Sequence, residues 1–205
     1  MTKQQKIYSW KVYALTDSVV FAEKLAKTKI KVLQYRDKNI SDQEFLARAK
    51  KIQKICRQNK VDFIINDRYY LIKKIQADGV HVGLKDKKIK TIRKFIGANK
   101  ILGQSIKTIK QALYAQKQGV DYISVSPVFD TVNKKEEKGV GLKRLKEVRK
   151  AVKIPICAIG SITEKNLPQV IKAGADCAAF IGELINAKNL KQKINNLCKI
   201  EFSNK

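Results

Sequence analysis

Short apolar runs rich in β-branched residues alternate along the chain with longer segments in which apolar residues recur every three or four positions among lysines. The runs are KVYALT (11–16), IKVLQYR (30–36), VDFIIN (61–66), GVHVG (79–83), KILGQS (100–105), DYISVS (121–126), IPICAIG (154–160) and DCAAFIG (176–182). Their length and residue types are those of buried strands. Between them, SDQEFLARAKKIQKICR is the clearest helix: Phe45, Leu46, Ala49, Ile52 and Ile55 fall at helical spacing. Ser41 stands as its N-cap with Glu44 three residues on, the pattern of a capping box. In TEKNLPQVIKAGAD, Thr163 is the expected cap and Gly174 the terminator. Strand-helix alternation implies a parallel sheet, and eight units in 205 residues predict a (β/α)8 TIM barrel. A doubly wound open sheet is the alternative, but no Gly-x-Gly-x-x-Gly follows the first strand, which counts against its dinucleotide-binding version. No linker interrupts the pattern, so one barrel domain is expected over 1–205.

Composition changes this picture little. A hydrophobic fraction of 44% supports one sizeable core. The opening residues lack a secretion signal, and no run approaches about 18 uninterrupted apolar residues, so a soluble cytoplasmic protein without membrane contact is expected. Cys56, Cys157, Cys177 and Cys198 are widely spaced without a C-x-x-C pair and read as reduced thiols. The formal charge of +26 comes from 37 lysines and seven arginines. The lysines are spread over helix-like surface positions with no arginine cluster or interleaved aromatic run, so nucleic acid is not the expected partner. A field of that sign does attract phosphorylated small molecules.

The chemistry-bearing residues collect where strands end. In a parallel barrel those ends share one face, the face on which active sites are built. The second strand ends in Gln34-Tyr35-Arg36-Asp37-Lys38 and the third in Asn66-Asp67-Arg68, while Gly83-Leu84-Lys85-Asp86 follows the fourth. Asp67 and Asp86 thus come from adjacent strands, a pair suited to Mg²⁺ shared with waters and phosphate oxygens; the plainer role for Asp67 is a helix cap. The fifth strand ends in Gly103-Gln104-Ser105. The sixth runs into a long loop with Thr131 and Lys134 ahead of Gly139 and Gly141, a loop able to close over phosphate. Gly160-Ser161 and Gly182 end the last two strands, where this fold recurrently binds phosphate. His81, the single histidine, shares a strand face with Gly79 and Gly83 and is expected to pack inside the barrel. With no second histidine, a zinc site or serine-type triad has almost no support. The mouth therefore offers a cationic, metal-binding end and a glycine-lined end, as two phosphorylated substrates would require.

These segments resemble the thiamine phosphate synthase (thiamine-phosphate pyrophosphorylase) family over nearly the whole length. The matching stretches are QYRDK (34–38), IINDR (64–68), ADGVHVG (77–83) with Asp86, DYISVSPVFDT (121–131) with Lys134, AIGSIT (158–163) and GAD (174–176). The resemblance implies coupling of hydroxymethylpyrimidine diphosphate to hydroxyethylthiazole phosphate with release of pyrophosphate. It implies Mg²⁺ on Asp67 and Asp86, and diphosphate contacts from Arg36, Lys38, Asn66 and Lys134. Gln34 would meet the pyrimidine and Ser105 the reacting centre, so that Ser105 and Lys134 are the expected catalytic residues. Thr131, Asn133, Gly160, Ser161 and Gly182 would serve the substrates, chiefly the thiazole phosphate. A homodimer is the assembly that the resemblance implies. The chain departs from the family pattern at Gly83-Leu84-Lys85-Asp86, at Thr131-Val132-Asn133-Lys134, at Ser161 where a second glycine is usual, and at Gly182 where a small hydroxyl residue is frequent. Two other readings stand beside this one: a thiazole tautomerase of the same pathway, and a non-catalytic polyanion-binding barrel. Retention of Arg36, Lys38, Asn66, Asp67, Asp86 and Lys134 favours the synthase.

Overall fold

The structure is a computed structural model that describes residues 2–84, 86–130 and 138–202. Eight parallel strands close into a barrel in chain order: β1 (Val12–Thr16), β2 (Val32–Tyr35), β3 (Asp62–Asn66), β4 (Gly79–Val82), β5 (Ile101–Ile106), β6 (Tyr122–Val125), β7 (Ile156–Ile159) and β8 (Cys177–Phe180). All eight predicted strands form, and the TIM barrel rather than the open sheet is the fold, because β8 pairs back onto β1. The helices are α1 (Lys3–Tyr8), α2 (Val19–Ala26), α3 (Asp42–Gln58), α4 (Ile72–Ile75, after a 3-10 turn at Tyr69–Leu71), α5 (Ile89–Ile96), α6 (Ile109–Lys117), α7 (Gly141–Ala151), α8 (Leu167–Lys172), α9 (Gly182–Ile185) and α10 (Leu190–Lys199). No helix among the described residues is long and apolar enough to cross a membrane.

Two helix starts differ from expectation. Ser41 Oγ caps α3 by accepting from Glu44 N at 3.2 Å, but the Glu44 carboxylate turns to Arg48 at 2.6 Å instead of back to the cap, so half of the capping box forms. Helix α8 begins not at Thr163 but after Asn166, with a proline in its first turn. Thr163 and Asn166 exchange hydrogen bonds and close a separate turn, and Pro168, which has no N–H to donate, suits the first helical turn. Gly174 follows the end of α8 at φ 102, as expected of the terminator.

Strand alternation sorts side chains into two cores. Outward-facing Leu33, Phe63, Ile65, Val80, Leu102, Ile123, Ala158 and Ala178 pack with the helices. Inward, the register pairs Leu15 with Gln34, Asn66 with His81, His81 with Gly103, Gly103 with Tyr122, Ser105 with Ser124 and Cys157 with Cys177. The interior thus grades from apolar to polar toward the carboxyl ends of the strands. At the other end, α1 brings Ile7 and Trp10 into the interior, where Trp10 meets Tyr13 and Tyr122 edge-on with centroids 5.5 Å away and donates from Nε1 to Asp62 at 2.6 Å. Around that end, Asp78, Asp121 and Asp176 each accept a backbone N–H from the start of the preceding strand, from Phe63, Leu102 and Ile156, at 2.8 to 2.9 Å. The GAD segment is thereby explained as scaffold. Cys56, Cys157 and Cys177 are buried free thiols, and Cys198 is a partly exposed one.

Candidate active site at the barrel mouth

The polar residues gather at the carboxyl end because each is the last inward-facing residue of its strand or lies one turn beyond it. Gln34 on β2 and Asn66 on β3 are buried, 3% and 6% exposed. Arg36 follows β2, with its N–H held by Thr16 O at 2.9 Å. Asp67 adopts φ 60, a left-handed conformation that Asp tolerates better than most residues. That turn sends its carboxylate to Lys38, with Nζ 3.1 Å from Oδ2. Asp67 therefore does not cap the following turn, whose N-cap is Arg68 with no side-chain cap bond.

Asp86 lies beside this pair and accepts from Gly83 N. Its carboxyl is raised from its ordinary value, chiefly by loss of water and further by the neighbouring Asp67 carboxyl, with the Gly83 N–H and then Lys38 opposing. A carboxyl raised in part by a second carboxyl beside it marks a place where added positive charge is stabilising. Their oxygen donors suit a hard divalent cation, so this pair fits Mg²⁺. Among the described residues, no group of three or more His, Cys, Asp or Glu side chains converges that could hold a metal.

Arg68 has a role that sequence reasoning missed. Its guanidinium donates to Asp42 Oδ1 at 2.7 Å, Asp37 O at 2.7 Å and Ile40 O at 2.6 Å, while lying 4.4 Å from the Phe45 ring centroid. It clamps the 37–42 segment and so positions Lys38. The Asn66-Asp67-Arg68 run that ends β3 thus divides its work: two residues face the mouth and the third holds the neighbouring loop.

Ser105, partly buried on β5, bonds to His81 Nε2 at 2.9 Å. His81 packs inside the barrel as expected, yet both ring nitrogens are engaged, the other by Tyr122 Oη at 3.0 Å. Burial pushes its pKa down to about 4, with Asp67 raising it slightly and Arg36 lowering it. The sign of the resulting pH dependence follows: on acidification the unfolded chain takes up the proton first, so the folded state loses stability as pH falls from about 6.5 to about 4. The expected loss is about 3 kcal/mol in metal-free protein. Asp62, whose carboxyl burial raises, contributes the opposite slope. Comparing denaturant unfolding of wild type with His81→Gln isolates the ring's share, which is the slope that the variant should lose.

At the other side of the mouth, Gly160 has φ 116, and a Cβ there would lie 2.6 Å from Pro127 Cβ. Ser161 adopts φ 47 and donates from Oγ to Asp130 O at 2.6 Å. The usual glycine is absent while its backbone conformation is retained. The left-handed conformation costs Ser161 about 1–2 kcal/mol. Glycine would recover that cost but lose about 1 kcal/mol of hydrogen bond and a similar amount of chain entropy. Ser161→Gly is therefore expected to change stability by less than about 1 kcal/mol, whereas Ser161→Ala, strained and unbonded, should cost about 1 kcal/mol in denaturant melts. Gly182 is exposed and opens α9. Thr131, Asn133 and Lys134 lie outside the described residues; the segment that carries them leaves from Asp130, whose Oδ1 accepts from Gly139 N at 2.7 Å.

The sequence model for thiamine monophosphate synthase matches residues 11–184, a span that takes in all eight strands and the mouth. The chain belongs to the thiamine monophosphate synthase family. It is 40% identical over 183 residues to a thiamine-phosphate synthase of Methanobrevibacter smithii, covering 89% of this chain and 87% of that one. To the thiamine-phosphate synthase of Clostridium acetobutylicum it is 34% identical over 196 residues, covering 92% and 93%. A solved thiamine phosphate pyrophosphorylase from Pyrococcus furiosus superposes with a TM-score of 0.86 at 29% identity over 95% of this chain and 96% of that one. Membership of the thiamine monophosphate synthase family makes the chain a transferase.

Proposed function

We propose that the barrel mouth couples hydroxymethylpyrimidine diphosphate to hydroxyethylthiazole phosphate, giving thiamine phosphate and pyrophosphate, with Mg²⁺ held by Asp67 and Asp86. The observation that carries this reading is the junction of Lys38, Asp67 and Asp86, two carboxyls and an ammonium meeting at the ends of adjacent strands. Waters and diphosphate oxygens would complete the metal's oxygen shell. Mg²⁺, when bound, supplies charge neutralisation to the leaving pyrophosphate.

The chain's own residues do the rest. Arg36, Lys38 and Asn66 bind the diphosphate, and Ser105 donates to it from β5. Gln34 orients the pyrimidine. As the carbon–oxygen bond to pyrophosphate breaks, the pyrimidine methylene becomes cationic and the ring's amino group shares the charge. The thiazole nitrogen then attacks that carbon. Fixed donors aimed at the departing charge, and a nucleophile held close, lower the barrier without a general base. Lys134 and Thr131, on the 131–137 segment, are proposed to contact phosphate oxygens, and the Gly160-Ser161 turn, with Asn133 and Gly182, to receive the thiazole phosphate. The tautomerase reading has no use for a metal-diphosphate end, and the polyanion reading has no use for Gln34 and Ser105.

Purified protein supplied with both substrates and Mg²⁺ should form thiamine phosphate and pyrophosphate in equal amounts, and a chelator should stop both. Isomerisation of a thiazole carboxylate phosphate without coupling would replace this reading with the tautomerase. Salt-sensitive RNA binding without turnover would replace it with the polyanion-binding barrel.

A further inference from the structure

Five buried or half-buried side chains form one line of hydrogen bonds across the barrel interior. Gln34 Nε2 lies 2.8 Å from Tyr13 Oη, Tyr13 Oη 2.9 Å from Tyr122 Oη, Tyr122 Oη 3.0 Å from His81 Nδ1, and His81 Nε2 2.9 Å from Ser105 Oγ. The line begins on β2 and ends on β5. Its two end residues are those that the proposed function sets against the pyrimidine and the pyrophosphate; the three between them touch neither.

Counting hydrogens constrains the line. Each phenol and the neutral imidazole has a single hydrogen to give. Two arrangements satisfy every link and leave no phenol hydrogen unpaired. In one, Gln34 donates to Tyr13, Tyr13 to Tyr122, Tyr122 to His81 Nδ1, and His81 Nε2–H to Ser105. Ser105 then has its hydroxyl hydrogen free for the mouth, and Gln34 keeps its carbonyl oxygen free. In the other, every hydrogen points the opposite way, with the Gln34 amide turned over; Ser105 spends its hydrogen on His81 and Gln34 presents N–H groups only. A mixed arrangement either sets two hydrogens or two lone pairs against each other, or makes one phenol accept from both sides and leaves its own hydrogen unpaired; each is costly in a water-poor interior.

We propose that Tyr13, Tyr122 and His81 are positioning residues that make the hydrogen-bond polarity of Ser105 and Gln34 interdependent, so that an anion at Ser105 selects a ligand that donates to Gln34. This rests on the reading of the mouth as a pyrimidine diphosphate site. Anionic oxygens only accept, so Ser105 must donate to them. The first arrangement follows, and the Gln34 carbonyl oxygen then accepts from an exocyclic amino group. A pyrimidine diphosphate with an oxo group in place of that amino group meets an acceptor with an acceptor.

The single histidine makes the test clean, because ¹⁵N-histidine labelling reports one imidazole. At pH 7.5, ligand-free wild type is expected to show Nε2 protonated and Nδ1 bare, and to stay so with Mg²⁺ and inorganic pyrophosphate. Gln34→Glu places an acceptor-only group at the far end and should move the proton to Nδ1. It should also weaken pyrophosphate binding about tenfold or more, although pyrophosphate has no pyrimidine for residue 34 to touch. Adding Tyr13→Phe to Gln34→Glu cuts the line while keeping the new charge, and should return the proton to Nε2 and restore most of the pyrophosphate affinity.

A wild-type ring protonated at Nδ1 overturns the proposal without any variant. So does a Gln34→Glu tautomer unchanged from wild type, or one that Tyr13→Phe does not reverse. The tautomer is read in ligand-free protein, so its result is independent of whether the protein forms thiamine phosphate.

Discussion

Asp67→Asn is expected to lower kcat/KM for the coupling reaction about 10³-fold while leaving the fold and thermal stability near wild type. Asparagine keeps the shape of the side chain and is among the few residues that accept the left-handed conformation at φ 60, so the backbone turn survives. What it removes is the charge that pairs with Lys38 at 3.1 Å and that faces Asp86. Alanine is the poorer probe, because it adds backbone strain to the loss of the carboxylate. The measurement is steady-state kinetics over a range of Mg²⁺ concentrations. Recovery at high Mg²⁺ would assign the loss to weakened metal affinity, and wild-type kinetics at low Mg²⁺ would remove Asp67 from the site.

Gly103→Ala is expected to cost about 4 kcal/mol of folding stability, far more than an exposed glycine substitution. A Cβ at 103 would lie 2.1 Å from Tyr122 Cζ and 2.5 Å from its Oη. Tyr122 has nowhere to go, since its ring is fully buried, meets Trp10 edge-on, and its hydroxyl is bonded to Tyr13 and His81. Overpacking of this kind costs about 1–3 kcal/mol, and breaking the buried hydroxyl's bonds adds about 1–2 kcal/mol. Denaturant unfolding reads the total. A Gly103→Ala protein as stable as wild type would mean that the ring over Gly103 is not held as described.

The strands were legible because a parallel barrel buries both faces of each one, which writes continuous apolar runs into the chain. The site was legible for a related reason: Gln34, Asn66, Asp67 and Ser105 interrupt those runs at the same end, and topology alone then assembles them. What the sequence hid depends on cross-strand neighbours. Tyr13 and Tyr122 read as ordinary core aromatics until the register sets Gly103 beside both His81 and Tyr122. The available signal was period-two alternation, which puts Tyr13 on the face of Leu15 and Tyr122 on the face of Ser124. Arg68 could not be separated from its neighbours by residue type, since its partners Asp37, Ile40 and Asp42 are set by how the loop after β2 folds over β3. The Glu44 side chain had two partners within reach, and Arg48, one turn along α3, took it from the cap.

The central claim is that Asp67 and Asp86 hold the metal that carries the diphosphate. Anomalous scattering from Mn²⁺, substituted for Mg²⁺ in crystals grown with hydroxymethylpyrimidine diphosphate, tests it most directly. The account predicts one strong peak shared by the Asp67 and Asp86 carboxylates, with diphosphate density reaching Arg36, Asn66 and Ser105. A diphosphate bound at the mouth with its metal elsewhere, or with neither carboxylate as a ligand, would contradict it.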